Sequence, residues 1–331
     1  MAQMKYQYEL TISSSPHVHS KTTTQTIMRD VLIGLVPAMI MAVYVFGLRS
    51  LTVTAVSVAA CVFFEWLYCK MTGMHCKIYD LSACVTGVLL AFVCPVTIPY
   101  WTIVLGAAFA ILLVKMLFGG LGRNIVNPAL AGRAFMFSWP VLMSTWVKPG
   151  FANAAGLLST ADAVTAATPL ANMQQGIMCE ESIGQLFIGT VGGCIGETSA
   201  LALLIGFGYL VMRKVISARI PLTYILTVAV LTFLFPQGND RITWMLAQVF
   251  GGGLMLGAIF MATDYVTSPV TKLGQLIYAA GCGILTVMIR YFGGYNEGVS
   301  YAILIMNTCV VLLDRIGRPV KFGAPKKEAA K

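Results

Sequence analysis

Charge is the scarcest property of this sequence. Only 11% of its 331 residues are Asp, Glu, Lys or Arg, while 58% are hydrophobic. Soluble globular domains carry about 25% charged residues, so the composition excludes a soluble protein. Histidine is rarer still: His17, His19 and His75 are too few and too scattered for a metal site. Nine cysteines are present, but none forms a CxxC pair. That argues against a cysteine-held iron–sulfur centre, and most of them lie in apolar runs where Cys is simply a small apolar residue. No Gly-rich fingerprint follows a strand, and strand–helix alternation is missing, so no dinucleotide fold is expected. The net charge is +9, yet no soluble basic domain exists to bind nucleic acid. The apolar residues fall in many separate runs, which excludes a single anchor and a signal peptide leading a soluble domain.

What remains is the pattern of an all-α polytopic membrane protein. A helix crosses the hydrocarbon core in about 20 apolar residues. Ten candidate spans follow: 31–47, 51–69, 81–95, 99–118, 128–146, 186–212, 220–236, 243–262, 274–291 and 298–313. The sixth is long and carries Gly192, Gly193 and Gly196 in its middle, which reads as a break. If every candidate spans, one side holds sixteen Lys and Arg and the other holds four: Arg49, Lys148, Arg241 and Arg290. By the positive-inside rule the rich side is cytoplasmic. Both termini are then inside and the loop 147–185 outside. The chain divides into a cytoplasmic segment 1–30, a first membrane half 31–146, the outer loop 147–185, a second half 186–313 and a basic cytoplasmic tail 314–331. Two cations stay inside spans, Lys115 and Arg133. Each is expected to snorkel to a membrane edge.

A shift of 141 residues superposes Pro95 on Pro236 and Pro128 on Pro269, with Leu81, Thr86, Leu90 and Phe92 on Leu222, Thr227, Leu231 and Phe233. This reads as an internal repeat. The matched pieces are offset by four spans, which makes the copies parallel. An inverted pair would need a half-spanning piece in each repeat; 81–94 and 222–235, at about 21 Å for 14 residues, suit that role. Ten full spans agree better with the charge count. Repeats are frequent in transporter folds, with sites at the repeat interface.

The outer loop is 39 residues long. Loops beyond about 15 residues in compact proteins are usually functional or disordered. It holds Ser159-Thr160-Ala161-Asp162-Ala163-Val164-Thr165-Ala166-Ala167-Thr168-Pro169. The plain reading is a helix with an Asp or Ser cap and a Pro stop. The same run, from Asp162 to Thr168, also resembles the acceptor motif of flavin transferases, Asp-Gly/Ala-x-Ser/Thr-Gly/Ala-Ala-Thr. In that motif the last Thr receives FMN through a phosphodiester bond. The resemblance implies covalent FMN on Thr168, with Asp162, Thr165, Ala166 and Ala167 as recognition elements. A hydroxyl on an exposed turn of small residues would reach a transferase pocket, and the transferase acts on the side where the charge count puts this loop.

Four further stretches carry a wider resemblance: Ser15-Pro16-His17 with Lys21 and Met28-Arg29-Asp30; Gly122-Arg123-Asn124-Ile125-Val126-Asn127-Pro128; Ala262-Thr263-Asp264-Tyr265-Val266-Thr267-Ser268-Pro269; and Gly293-Gly294-Tyr295-Asn296-Glu297-Gly298, with Asn307. In this order around ten spans they resemble the D subunits of the ion-translocating Rnf complexes and the related B subunits of the Na+-translocating NADH:quinone reductases. The likeness runs from about residue 13 to 318. The quinone-reductase subunits typically carry a longer soluble N-terminal extension, so the Rnf D-type protein is the nearer match.

The resemblance implies one subunit of a complex moving electrons between ferredoxin and NAD+, coupled to export of Na+ or H+. The chain would relay electrons through its FMN at the outer face, in a bacterial or archaeal cytoplasmic membrane. Other Rnf subunits, among them another FMN-bearing one, would be its partners, and further non-covalent flavin would be an added cofactor. The chain alone would hold no complete active site. For an ion path the candidates are Glu65, Glu197 and Asp264, since intramembrane acids are functional hypotheses by default. Glu197 lies beside the expected break, where freed carbonyls coordinate cations in transporters. Arg123 and Asn124 suit a phosphate or a partner's carboxylate. Trp101, Trp139, Trp146 and Tyr291 read as interface anchors. The alternatives are a duplicated secondary transporter or channel without a redox role, and a structural scaffold. The acceptor motif separates them, because a plain carrier has no use for it.

Overall fold

A computed structural model describes residues 22–74, 78–147, 168–174, 182–238, 240–293 and 297–316. Among them the regular elements are helices, and no strand occurs. In order they are α1 (Thr24–Phe46), α2 (Arg49–Thr72), α3 (Ser82–Phe92), α4 (Tyr100–Ala108), α5 (Pro128–Met136), α6 (Pro140–Met143), α7 (Pro169–Gln174), α8 (Ile183–Ile188), α9 (Ala200–Met212), α10 (Arg219–Leu234), α11 (Arg241–Phe250), α12 (Leu254–Leu256), α13 (Lys272–Phe292) and α14 (Val299–Leu313). A 3-10 turn, Ile78–Asp80, precedes α3, and π-helical turns extend α4 through Phe109–Met116 and α12 through Gly257–Met261.

Three helices, α1, α2 and α13, are each long and apolar enough to cross a membrane alone. A fourth candidate is the pair α11 and α12, bent by 59°. The shorter apolar helices α3, α4, α9, α10 and α14 complete the bundle. The first helix starts at Thr24, capped by the Thr23 hydroxyl accepting from Thr26 N at 3.2 Å, so helix begins inside the segment 1–30.

Several helices stop short inside the protein. After α3 the chain continues as buried, non-helical backbone through Val93, Cys94, Val96 and Ile98 before α4 begins. Between α8 and α9 it breaks over 189–199, around Gly192, Gly193 and Gly196. Irregular backbone at membrane depth is tolerated only when its polar groups are satisfied inside the protein. Here the two breaks satisfy each other: Ile195 N donates to Cys94 O at 3.0 Å and Gly196 N to Phe92 O at 2.9 Å. Buried arginines take further carbonyls. Arg49 Nε donates to Val96 O at 2.8 Å and Nη2 to Ile98 O at 3.3 Å. Arg290 Nη1 donates to Gln248 O at 2.6 Å and Nη2 to Gly251 O at 3.3 Å, at the bend between α11 and α12. Both are therefore buried caps rather than the loop cations of the charge count.

Close helix crossings need glycine. A Cβ on Gly206 of α9 would stand 2.1 Å from Gly34 O of α1, and one on Gly87 of α3 would stand 2.7 Å from Val58 Cα of α2. Small residues at such crossings let apolar helices pack without a hydrophobic driving force. Near the Gly34–Gly206 crossing, Asp30 accepts from Tyr209 OH at 3.1 Å and pairs with Arg213 at 3.3 Å.

The packing follows a different correspondence from the 141-residue shift, which aligns α3 with α10. In space α2 packs on α3 and α4, as α10 packs on α11 and α13; α4 meets α5 as α13 meets α14. The two first elements, α1 and α9, lie against each other, and so do the two last, α5 and α14. The shift aligned similar apolar textures, which recur in any helix of this composition; neighbour relations distinguish the elements.

Candidate functional site

Two cavities stand out among the described residues. The first, called the outer cleft after the side that the charge count expects for the loop before it, is walled by Thr168 and Leu170 of the α7 region, Gly192, Gly193, Glu197 and Thr198 of the α8–α9 break, Phe250, Gly251 and Gly252 of the α11–α12 bend, and Glu297 before α14. Its glycines keep it open: Gly252 has φ +67°, and a Cβ there would stand 2.3 Å from Leu170 Cδ1.

Thr168 is buried rather than set on an exposed turn, at 6% exposure. Pro169 begins α7 instead of stopping a helix, because proline suits the first helical position, where its missing N–H costs nothing. Thr168 Oγ1 accepts from Ala171 N at 3.3 Å. Its hydroxyl proton remains available to an acceptor in the cleft. The other motif positions, Asp162, Thr165, Ala166 and Ala167, lie outside the described residues.

The floor of this cleft is ionic. Arg133 of α5 does not snorkel; it is buried at 2% exposure. Its Nη1 reaches Glu197 Oε1 at 3.4 Å and Ser300 Oγ at 2.9 Å, and its Nη2 pairs with Glu297 and approaches Cys194 Sγ at 3.7 Å. Ligand atoms of Cys194, Glu197 and Glu297 lie within 4.8 Å of one another. That spacing suits a metal ion, but the guanidinium already supplies the cation among them. Arg133 and Glu297 escaped the sequence reading as a pair, since 164 residues separate them. A cation amid apolar residues was the one signal available.

The second, called the inner pocket by the same expectation, lies at the start of α5. Asn124, Asn127, Pro128 and Ala129 line one side; Thr263, Asp264, Tyr265 and Val266 line another. The two motifs singled out in the sequence thus face one cavity. Asn127 caps α5, accepting from Ala129 N at 3.0 Å, and its Nδ2 donates to Met261 O at 3.3 Å. Asn307 ties the walls together, accepting from Asn127 N at 3.1 Å and donating to Thr267 O at 3.1 Å when its amide is oriented to satisfy both. Asp264 accepts from Thr267 Oγ1 at 3.1 Å. Ala129, which lines the inner pocket, and Arg133, which pairs with two carboxylates that line the outer cleft, are one turn apart on α5.

Lys115 also lines the inner pocket. It does not snorkel either. Its Nζ donates to Glu65 Oε2 at 2.8 Å and to Ser82 Oγ at 2.6 Å, and Ser82 Oγ donates on to Asp80 Oδ1 at 2.6 Å. Of the three acids singled out in the sequence, Glu197 faces the outer cleft, Asp264 the inner pocket, and Glu65 the buried lysine. They do not form one site. Near the cleft, Trp244 is fully buried and donates from Nε1 to Tyr291 OH at 2.9 Å, so Tyr291 is a packed partner. Trp101 and Trp139 meet edge to face at 5.9 Å.

Comparison with known proteins agrees with these motifs. The profile of the NQR2, RnfD, RnfE family matches residues 11–323. The chain is 48% identical to the D subunit of the Na(+)-translocating ferredoxin:NAD(+) oxidoreductase complex of Acetobacterium woodii, covering 97% of this chain and 98% of that one. It is 43% identical to the D subunit of the proton-translocating ferredoxin:NAD(+) oxidoreductase complex of Clostridium ljungdahlii, covering 95% and 96%. It is 35% identical to the D subunit of the ion-translocating oxidoreductase complex of Stutzerimonas stutzeri, covering 92% and 93%.

Proposed function

We propose that this chain, which belongs to the NQR2, RnfD, RnfE family, is the electron-relaying D-type component of an ion-translocating ferredoxin:NAD+ oxidoreductase, with FMN joined through its phosphate to Thr168. The observation that carries the reading is the meeting of the acceptor threonine with a glycine-lined cleft. Thr168 Oγ1 sits at the wall of that cleft, with the backbones of Gly192, Gly193, Gly251 and Gly252 beside it. Their chemistry suits the edge of a flat ring system: no side chains project from the four glycines, and Leu170 and Phe250 offer apolar surface.

The bound flavin would supply one-electron transfer; the chain supplies position and electrostatics. Thr168 holds the phosphate end. Burial of the cleft keeps water from the ring, and the Arg133 cluster sets the local charge. The inner pocket, walled by the Asn124–Ala129 and Thr263–Val266 stretches, suits a second, non-covalent flavin.

In this reading ten membrane segments carry the cavities, both termini are cytoplasmic and 147–185 lies outside. The buried caps Arg49 and Arg290 and the exposed Arg241 then share the outer side. The five-element correspondence of the packing supports two copies of opposite orientation, because an odd number of spans turns the second copy over. The relatives at 48% and 43% identity are named for different ions, so Na+ and H+ both fit the resemblance.

The test is intact mass of the chain co-produced with a flavin transferase, wild type and Thr168→Ala. The expected result is an added FMN-sized mass on the wild type and none on the variant. No added mass on either would refute the covalent-flavin reading and bring forward a transporter without a redox role.

A further inference from the structure

The outer cleft ends on a carboxylate that is only half partnered. Glu197 Oε1 faces Arg133 Nη1 at 3.4 Å, while Oε2 is buried without a hydrogen-bond partner. The Glu197 side chain is 2% exposed and lines the cleft that Thr168 also lines. A Cβ on Gly253 would stand 2.4 Å from Oε1, so the carboxylate lies directly against the α11–α12 bend. Among the described residues, the charged groups around it are few. Arg133 comes from α5, Glu297 from the segment before α14, Cys194 from the same break as Glu197, and Arg290 from α13. Arg290 is engaged by Gln248 O and Gly251 O. Arg133 is shared, its other nitrogen being taken by Glu297. At contact distance, the buried carboxylate of Glu197 and the half-buried one of Glu297 therefore divide one guanidinium.

Such an arrangement is costly unless the second carboxylate is neutralised when negative charge is added nearby. A proton does this without a coordination shell, and the free Oε2 is where it would sit. A metal cation would have to compete with the guanidinium already in place.

We propose that Glu197 is a redox-linked proton site: it takes up one proton when the flavin on Thr168 takes up an electron, and releases it when the electron leaves. The proposal rests on the covalent-flavin reading. The electron comes from a one-electron donor of the complex, or from an electrode in the experiment. The proton comes from water at the mouth of the cleft and converts the Glu197 carboxylate to the acid. The summed charge of cleft and cluster stays constant through the cycle. Arg133 and Glu297 act through Glu197 and are positioning residues.

The test uses the full chain, flavinylated and checked by intact mass, in redox-induced infrared difference spectroscopy. The expected result is a carboxylic acid C=O band that appears on reduction, shifts down in D2O and is lost in Glu197→Gln. Glu197→Asp, which keeps the acid, moves the band rather than removing it. Gln has the size of Glu and leaves Arg133 its pairing with Glu297. The wild-type spectrum stands even if a variant fails to fold: flavinylated protein with no such band overturns the proposal. So does a band that persists in Glu197→Gln. A reduction potential that follows Na+ concentration, with no acid band, overturns it in favour of a metal cation. Wild-type chain lacking the flavin mass defeats the underlying reading instead, and the mass measurement reports that before any spectrum is taken.

Discussion

Lys115 and Glu65 provide the sharpest test of how this bundle is held together. Their pair is almost wholly enclosed, with side-chain exposures of 2% and 6% and a separation of 2.8 Å. Breaking a buried pair by removing one partner typically costs about 3–5 kcal/mol, because the survivor is an uncompensated buried charge, whereas replacing both with apolar groups is often neutral. The two single changes are not equivalent here. In Glu65→Leu the ammonium keeps Ser82 Oγ at 2.6 Å and borders the inner pocket, so the loss belongs at the low end, about 3 kcal/mol. In Lys115→Met the carboxylate loses its ion-pair partner, and the loss belongs at the high end, about 5 kcal/mol. Domains of 150–250 residues lose roughly 2–4 °C per kcal/mol; a drop on the order of 10 °C is therefore expected for Lys115→Met, and less for Glu65→Leu. The double variant should melt above either single one. The assay is thermal unfolding of the four proteins in one detergent, followed by a fluorescent thiol or aggregation probe. A double variant that loses the sum of the single losses would refute the reasoning, since additivity means that the two groups do not compensate each other.

Further outcomes follow from the same packing. Gly206→Ala places a methyl 2.1 Å from Gly34 O; overpacking of this kind costs about 1–3 kcal/mol and should lower the melting temperature, with Gly208→Ala, which meets nothing within 4 Å, as the neutral comparison. Arg49→Met strips the caps from Val96 O and Ile98 O, at about 1–3 kcal/mol for each buried carbonyl left unpaired; hydrogen exchange over 93–99 should accelerate more than elsewhere. Asp240 caps α11 and accepts from Thr243 Oγ1 and Ile242 N, and these hydrogen bonds hold its carboxyl below the usual carboxylate range. A depressed value means that its contribution is complete above the ordinary Asp pKa and is lost as pH falls through the lowered one, so acid should fray the start of α11 in wild type but not in Asp240→Asn.

Much of the architecture was legible in the residues. Apolar runs become helices because a chain in lipid must satisfy its own backbone, and the glycines at 192, 193 and 196 mark a real interruption. The stretches Arg123–Pro128 and Ala262–Pro269 stood out as motifs before their shared cavity was known. Thr168 stood out by its flanking residues. Other features misled. Lys115 and Arg133 looked like snorkelling cations because each lies near an end of its apolar run, and Pro169 looked like a stop.

The sequence by itself determined that the chain is a set of apolar helices, that one of them breaks around 192–196, and which short stretches carry chemistry, because those properties are local; the interruptions inside 128–146 and 243–262 appeared only in the structure. The tertiary structure alone decided who meets whom. Glu65 finds Lys115 across 50 residues, and Arg133 finds Glu197 across 64. In a membrane bundle both faces of a helix are apolar, so periodicity that would reveal the packed side of a soluble helix is weak. Pairing of buried charges, capping of broken helices by Arg49 and Arg290, and the meeting of two sequence motifs at one pocket are properties of helix packing, which only the folded arrangement specifies.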